Sequence, residues 1–352
     1  MNRNILIAVI IAAAAVVGIA AAALAMSGGG GDEPPESQKC SVRLDVGQGD
    51  GTYVRYADAQ GTTVSDLLAS TLGDDIALRS NGNVASYKGV SNTGDHSWVV
   101  FRWMSLDGWK AVQGTQRLIE GSSYVLDFAE RVEGKDIEYK APEYSISSEV
   151  YFFVQIPSMS EIEKIAKSGT SRPDDKSEGK KMTASERFDV MMGWFEKAGL
   201  DTESLEDGFW IKGEGTTAND ALADAVAKCL YPSSEVTVTE GGGIIEYKLD
   251  GEVVHACLSN DKMYGWFVGF FGWADTQLEN GDWTYWSQFT YNPNAKTLDD
   301  TRQWTYNTLS LGQYDMSVYK YYALVLQTTS EKQADDGVEM VMPTPSEIPE
   351  GL

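Results

Sequence analysis

The chain has 352 residues, of which 52 are acidic and 28 are basic, so its formal net charge at pH 7 is −24. This charge repels phosphate backbones and anionic lipid headgroups, and we therefore expect no nucleic-acid partner. Three cysteines and two histidines occur without any spacing typical of paired metal ligands, so we expect neither a metal centre nor a cofactor held by these side chains.

The first segment of the chain predicts a membrane-spanning helix. Residues 5–26 form a run of 22 without a charge, and at about 1.5 Å per residue this run spans roughly 33 Å, enough for a hydrocarbon core of roughly 30 Å. Arg3 precedes the run and the next charges are acidic, so the positive-inside rule places everything after Ser27 outside the cell membrane. An A-x-A sequence ending at Ala25 is also typical of a cleavage site, so a cleaved leader and a secreted body remain an alternative.

Residues 27–40, rich in glycine, proline and acids, predict a flexible stalk. The rest of the chain is long enough for two domains of ordinary size. An internal sequence repeat, which we call the echo, indicates that the body contains two copies of one domain. Gly61–Ala69 and Gly215–Ala223 are identical at six of nine positions, at an offset of 154 residues. We expect a first α+β domain at 41–156, a helical connector with a linker at 157–207, and a second α+β domain at 208–330.

Both copies of the echo predict the start of a helix. Thr63 and Thr217 are suitable N-cap residues, and an aspartate follows each of them at the third helical position, where free backbone N–H groups attract a carboxylate. Apolar residues then recur at helical spacing. Strand-like runs with turn signals flank both helices, which favours a mixed α+β body.

The remaining segments carry simpler signals. Capping boxes at Ser158–Glu161 and Thr183–Glu186 predict two helices within the connector. Polar, charged residues at 168–181 predict a linker between those helices. The acidic, proline-containing tail at 331–352 is predicted to be disordered.

A wider pattern joins these signals: a hairpin, a Gly-Thr-Thr-x-x-Asp-x-Leu helix start, and strands rich in Trp and Tyr. In the first copy it comprises Gly61, Thr63, Asp66, Leu68, Trp98, Trp103, Gly108, Gly121 and Tyr124. In the second copy it comprises Gly215, Thr217, Asp220, Leu222, Trp283, Trp286 and Gly312. The pattern resembles a domain family of unknown function related to the C-terminal domain of transcobalamin and intrinsic factor. The resemblance covers 42–131 and, more loosely, 208–327. The resemblance implies two β-grasp-like domains in tandem on a prokaryotic surface protein. The distant relatives of this family suggest a corrinoid as the ligand.

An aromatic-rich segment is the best candidate for a binding site. Thirteen of the 43 residues from Tyr264 to Tyr306 are aromatic, against 11% in the whole chain. Exposed Trp and Tyr rings offer flat faces for sugars, corrins or partner proteins, whereas the same rings also pack well in a protein core. The ligand-binding candidates are Trp266, Trp273, Trp283, Tyr285, Trp286, Trp304 and Asp282.

Two cysteines form a candidate disulfide. Outside the cell, Cys229 and Cys257 would close a loop of about 28 residues and contribute on the order of 3 kcal/mol. Two separate thiols are the alternative. His255 lies in a strand-like run and is interpreted as a structural residue.

We therefore expect a membrane-anchored extracytoplasmic binding or surface protein rather than an enzyme. Its second domain would engage a small molecule, a glycan or another surface protein through aromatic residues. Two alternatives remain open. One is a structural envelope or adhesion component without a small-molecule ligand, and the other is a hydrolase that uses its abundant acids on a polysaccharide.

Overall fold

The computed structural model describes residues 39–49, 51–105, 107–135, 137–168, 183–258, 265–274, 276–277, 283–291, 304–329 and 341–345. The predicted membrane segment and residues 27–38 of the predicted stalk lie outside this part of the chain. Within it, no helix combines the length and the apolar character needed to cross a membrane. Contacts between Cα atoms group Cys40–Leu352 into one compact unit, and this unit has the mixed α+β architecture expected from the sequence.

The first half of the unit is a sheet with one helix and a small side sheet. Its elements are β1 (Cys40–Gly47), β2 (Tyr53–Gly61), α1 (Val64–Leu72), β3 (Ile76–Leu78), β4 (Val84–Tyr87), β5 (Val90–Ser91), β6 (His96–Met104), β7 (Gly108–Val112) and β8 (Ser123–Glu130). The main sheet has the order β2-β1-β8-β6-β7, and β3, β4 and β5 form the side sheet. The first strand β1 pairs antiparallel with β2 and parallel with the last strand β8.

The second half contains more elements. They are β9 (Ser148–Gln155), α2 (Met159–Ser168), α3 (Ala184–Lys197), α4 (Thr202–Asp207), β10 (Phe209–Gly215), α5 (Ala218–Leu230), β11 (Val236–Gly241), β12 (Ile244–Leu249), β13 (Glu252–Leu258), β14 (Trp266–Phe270), β15 (Trp273–Ala274), β16 (Thr276–Gln277), β17 (Trp283–Tyr291), β18 (Trp304–Tyr306) and β19 (Tyr321–Thr329). Short 3₁₀ turns lie at Gly73–Asp75 and Leu311–Gln313.

The main sheet of the second half repeats the plan of the first. Its order is β10-β9-β19-β17-β16, with β18 also paired to β17. As in the first half, the first strand β9 pairs antiparallel with β10 and parallel with the last strand β19. The strand β9 therefore corresponds to β1, and β19 corresponds to β8.

This pairing corrects the expected place of two segments. The strand β9 was expected at the end of the first domain, but it is the first strand of the second sheet. The helices of 157–207 were expected to connect two domains, but they lie between the paired strands β9 and β10 of one sheet. They are an insertion into the second repeat.

A second insertion occupies the position of the small side sheet. In the first half, β3, β4 and β5 lie between the helix α1 and the strand β6. In the second half, the stretch between α5 and β17 contains a five-stranded sheet of order β11-β12-β13-β14-β15. Both insertions bury apolar side chains in the core cluster that also covers one face of the second main sheet.

The opposite face of the second main sheet is also covered. Phe153, Phe289 and Trp304 lie there in a separate apolar cluster, against which Met342 packs. Residues 341–345 are held by two glutamines: Gln327 Nε2 donates to Val341 O at 3.0 Å, and Gln155 Nε2 donates to Thr344 Oγ1 at 2.8 Å. This part of the tail is thus ordered against the sheet, contrary to the expected disorder, and the rest of 331–352 lies outside the described residues.

The Gly-Thr-Thr motif has a steric explanation. Thr63 and Thr217 accept hydrogen bonds from Asp66 N and Asp220 N, both at 3.2 Å, which confirms the predicted N-caps. A Cβ atom added to Gly61 would lie 2.7 Å from Leu67 N. A Cβ atom added to Gly215 would lie 2.5 Å from Ala221 N, the equivalent atom of the second copy. Each motif therefore lets the backbone of a helix approach the strand that precedes it.

We predict that Gly215→Ala destabilises the protein by about 1–3 kcal/mol, because the new methyl group must displace the backbone of α5. Urea unfolding measures the change. The matched control is Gly241→Ala on the exposed strand β11, where an added Cβ meets no atom within 4 Å. The control is expected to change the free energy of unfolding by less than about 0.5 kcal/mol. Equal losses in the two variants would contradict the steric account.

Candidate functional site

Three of the seven predicted ligand-binding residues belong to the core. Trp273, Trp286 and Trp304 are 0%, 3% and 3% exposed, so these rings are unavailable to a ligand at the surface. Tyr285 is half-buried, and Trp266 is 38% exposed. The side chains of Trp283 and Asp282 lie outside the described residues. The packed-core alternative thus describes the three buried rings, and the expected aromatic face is wrong for them.

The buried tryptophans are fixed by specific contacts. Trp273 Nε1 donates to Thr284 Oγ1 at 3.2 Å. Trp286 meets the ring of Phe270 edge-on, with 5.3 Å between the ring centroids. These contacts join the inserted sheet to the second main sheet, so part of the aromatic enrichment of this segment serves packing between the two sheets, while Phe289 and Trp304 pack on the opposite face of the main sheet.

The candidate disulfide is not formed. Cys229 lies exposed near the end of α5, with its Sγ 3.5 Å from Lys212 O. Cys257 lies fully buried in β13, and burial raises the pKa of its thiol to about 12. Both cysteines are free, one exposed and one buried, so a pairing between them is ruled out in this structure.

A cleft of about 440 Å³ lies between the two insertions. We call it the α3 cleft. One wall is the helix α3, and the other is formed by β13, β14 and the turn into β15. The lining residues are Arg187, Asp189, Val190, Gly193, Trp194, Lys197, Glu252, Val253, Val254, Ala256, Val268, Gly269, Phe270, Gly272 and Ala274.

The sequence places α3 firmly against the inserted sheet. Its capping box is present, with Thr183 and Glu186 bonding to each other's backbone N–H groups. Gly272 has a φ of +78° at the turn before β15, and a Cβ atom added there would lie 2.5 Å from Val190 Cγ1. The Tyr231 hydroxyl donates to Trp194 O, and the two rings meet edge-on at 5.1 Å. The wall formed by α3 is therefore held at both its middle and its C-terminal half.

Glycine keeps the α3 cleft open. Gly193 lies in the interior of α3, where glycine costs about 1 kcal/mol relative to alanine. A Cβ atom added to Gly193 would meet no atom within 4 Å, so no neighbour requires a glycine at this position. Opposite it, an added Cβ at Gly269 would have its nearest neighbour at 3.6 Å. The space in front of Gly193 is therefore free for a ligand, whereas a side chain at Gly269 would contact the strand β15.

The polar groups of the α3 cleft balance in charge. Two cations, Arg187 and Lys197, and two acids, Asp189 and Glu252, line it. Arg187 is buried, and burial lowers the pKa of its guanidinium group, which marks the apolar character of its surroundings. The rest of the lining is apolar or glycine. The cleft therefore favours a largely apolar ligand without a strong preference for either sign of charge.

Sequence reasoning missed the α3 cleft. It predicted the helix from its capping box, and in the structure this helix buries Phe188, Met191 and Phe195. The cleft uses the adjacent face of the same helix. One signal was present in the sequence, since Gly193 interrupts an otherwise helix-favouring segment. Its partners on β13 and β14 could not be identified without the tertiary structure.

The described residues contain no group of three or more His, Cys, Asp or Glu side chains arranged to hold a metal ion. Comparisons of the chain with protein-family models, with curated proteins and with solved structures gave no match.

His255 lies on the opposite face of the inserted sheet and does not line the α3 cleft. Its ring stacks on Tyr247 at 4.0 Å and on Phe267 at 5.9 Å. It is fully buried, and neither ring nitrogen has a hydrogen-bond partner within the described part of the chain. Burial lowers the pKa of His255 to about 3. The residue is a core histidine, in agreement with the structural role predicted from its place in a strand-like run.

This buried histidine predicts a pH dependence of stability. Between about pH 6.5 and pH 3 the unfolded chain binds a proton at His255 while the folded chain does not, so stability falls as the pH falls. We expect His255→Leu to remove up to ~1.4 kcal/mol per pH unit from this slope. Urea unfolding at several pH values measures it. Above pH 7 the free energy of unfolding of wild type and variant should change with pH in the same way. The same pH dependence in both proteins below pH 6 would contradict the prediction.

Proposed function

We propose that the protein is an extracytoplasmic binding protein, held at the membrane by residues 5–26, that takes a small and largely apolar molecule into the α3 cleft. The observation that carries this proposal is the open space in front of Gly193. A glycine in a helix interior lowers stability, and here no packing neighbour explains it. A ligand that fills the space would explain it.

The size and lining of the α3 cleft support the same proposal. Binding sites for small molecules commonly measure about 300–1,000 Å³ and are mostly apolar, with a few polar groups that orient the ligand. The volume of about 440 Å³ falls in this range. Trp194 and Phe270 border the α3 cleft, but they are only 6% and 0% exposed, so aliphatic side chains and glycine backbone rather than aromatic rings would contact most of a ligand.

The position of the α3 cleft gives further support. Its walls come from the two insertions, whereas the main sheet is common to both halves. Variable segments on a common framework are where binding sites usually lie. Within the described residues, a helix from one insertion and a sheet from the other meet in the second half, which supports a binding role for that half.

We further propose that each main sheet with its helix is a β-grasp-like domain, related to the domains that the sequence resembles. The strand order and the parallel pairing of the first and last strands support this, because an antiparallel strand pair, a helix and a returning central strand occur in both halves. A corrinoid ligand gains no support from the lining of the α3 cleft, and we do not propose one.

Substitution of Gly193 tests the binding proposal. We predict that Gly193→Phe fills the α3 cleft and weakens binding of the neutral fluorescent probe N-phenyl-1-naphthylamine about tenfold or more. The matched control Gly193→Ala adds only a methyl group, so it should bind the probe nearly as well as wild type. Its free energy of unfolding should be up to about 1 kcal/mol higher, because alanine favours a helix more than glycine does. Probe fluorescence in titrations of the full chain measures affinity, and urea unfolding measures stability.

Two results would contradict the proposal. One is the absence of saturable probe binding to the wild type. The other is equal affinity of the wild type and Gly193→Phe, provided that the variant unfolds cooperatively. Loss of binding in both substitutions would point to a disturbed helix rather than a filled cleft, and would also count against the proposal.

A further inference from the structure

The first half contains a second open space, of about 630 Å³, which we call the β6 groove. It lies between the main sheet and the small side sheet β3-β4-β5. The strand β7 pairs with β6 only from Val100 to Met104. The part of β6 that precedes Val100 has no partner strand in β7, and its residues Ser97, Trp98 and Val99 line the groove.

The framework of the β6 groove is built from asparagine contacts. Asn92 Oδ1 accepts from Trp98 N at 2.8 Å, and Asn92 Nδ2 donates to Val84 O at 2.9 Å. Asn83 Oδ1 accepts from Gly114 N at 3.0 Å. These bonds tie the side sheet to β6 and to the end of β7, so the two walls are held apart at a fixed width.

The charge of the β6 groove is opposite to that of the chain. The chain as a whole carries 52 acids against 28 bases. The described residues that line the groove include two arginines, Arg79 and Arg131, and no acid. A local positive charge in a strongly acidic protein is a suitable place for an anion, since the surroundings repel anions elsewhere.

Arg131 is the central cation of the groove. Its guanidinium carbon lies 5.9 Å from the centre of the Tyr139 ring, which orients the group. Its Nε is buried and has no hydrogen-bond partner among the residues that the structure describes. A buried N–H group without an acceptor is unfavourable. Because Nε is closed off from solvent, a carboxylate in the groove would accept from the terminal nitrogens of the guanidinium group, whose geometry matches that of a carboxylate.

The remaining lining suits a hydroxylated molecule. Gln113, Thr93 and Tyr139 add amide and hydroxyl groups that donate and accept hydrogen bonds. Ile137, at the rim, is 87% exposed, more than any other large hydrophobic side chain described. A bound molecule would cover part of it.

We propose that the β6 groove binds a hydroxyl-bearing carboxylate of the size of a sugar acid, with Arg131 and Arg79 holding the carboxylate. This site is independent of the α3 cleft, which lies in the other half and takes an apolar ligand. Separate experiments therefore test the two proposals, and a negative result for one does not affect the other.

The test uses isothermal titration of the full chain with methyl β-D-glucuronide and, in parallel, with methyl β-D-glucoside. The two probes differ only at C6, where the glucuronide has a carboxylate and the glucoside has a hydroxymethyl group. We expect the glucuronide to bind at millimolar concentration or below, and the glucoside to bind at least about tenfold more weakly. Arg131→Gln is expected to weaken glucuronide binding about tenfold to a hundredfold, because a charged hydrogen bond is lost. Arg79→Gln should also weaken it.

Arg117→Gln is the matched control, because it removes the same charge from an exposed arginine that does not line the groove. It should bind the glucuronide as wild type does. Thermal melting followed by circular dichroism shows whether each variant is folded. If Arg131→Gln fails to fold, Arg79→Gln, at the exposed end of the groove, provides the test of glucuronide binding. Absence of glucuronide binding, equal binding of both probes, or equal weakening by Arg117→Gln would overturn the proposal.

Discussion

The close contact between a glycine and the backbone of the following helix fixes the geometry on which the rest of the molecule depends. Gly61 and Gly215 occupy equivalent positions, and in both copies a side chain would strike the nitrogen of the fourth helical residue, Leu67 or Ala221. The helix then lies against the strand that precedes it, and the capping threonine sets where it begins. In both halves the chain returns as a central strand parallel to the first one, which closes the sheet.

This common framework explains where new structure was accommodated. The second half carries one insertion between its first two strands and another after its helix, and both emerge beside the same face of the sheet. Because they share one apolar core with that face, the inserted helix and the inserted sheet come to lie opposite each other. The α3 cleft is the space that remains between them. The first half, which has a short turn and a small side sheet at these places, has instead a polar groove beside the edge of β6.

Local signals predicted local structure well. Caps at Thr63, Thr183 and Thr217 and the apolar spacing after them located three helices, because these signals involve residues within one turn of each other. The membership of β9 in the second sheet was missed, because its partner β10 follows only after an inserted helical segment. The exposure of the aromatic rings was misjudged for a related reason. Alternation along β17 shows that the strand has two faces, whereas burial of both faces depends on distant segments, among them residues 341–345.

The most direct test of the account is whether the two insertions pack as the walls of the α3 cleft. A Cβ atom at Gly272 would lie 3.4 Å from Val190 Cβ, close to the separation of about 3.5–4.5 Å found in disulfides. We predict that Val190→Cys with Gly272→Cys, in a chain that also carries Cys40→Ser and Cys229→Ser, forms an intramolecular disulfide under mild oxidation. Peptide mass mapping would identify the bond. Two thiols that remain free and reactive in the folded protein would contradict the account.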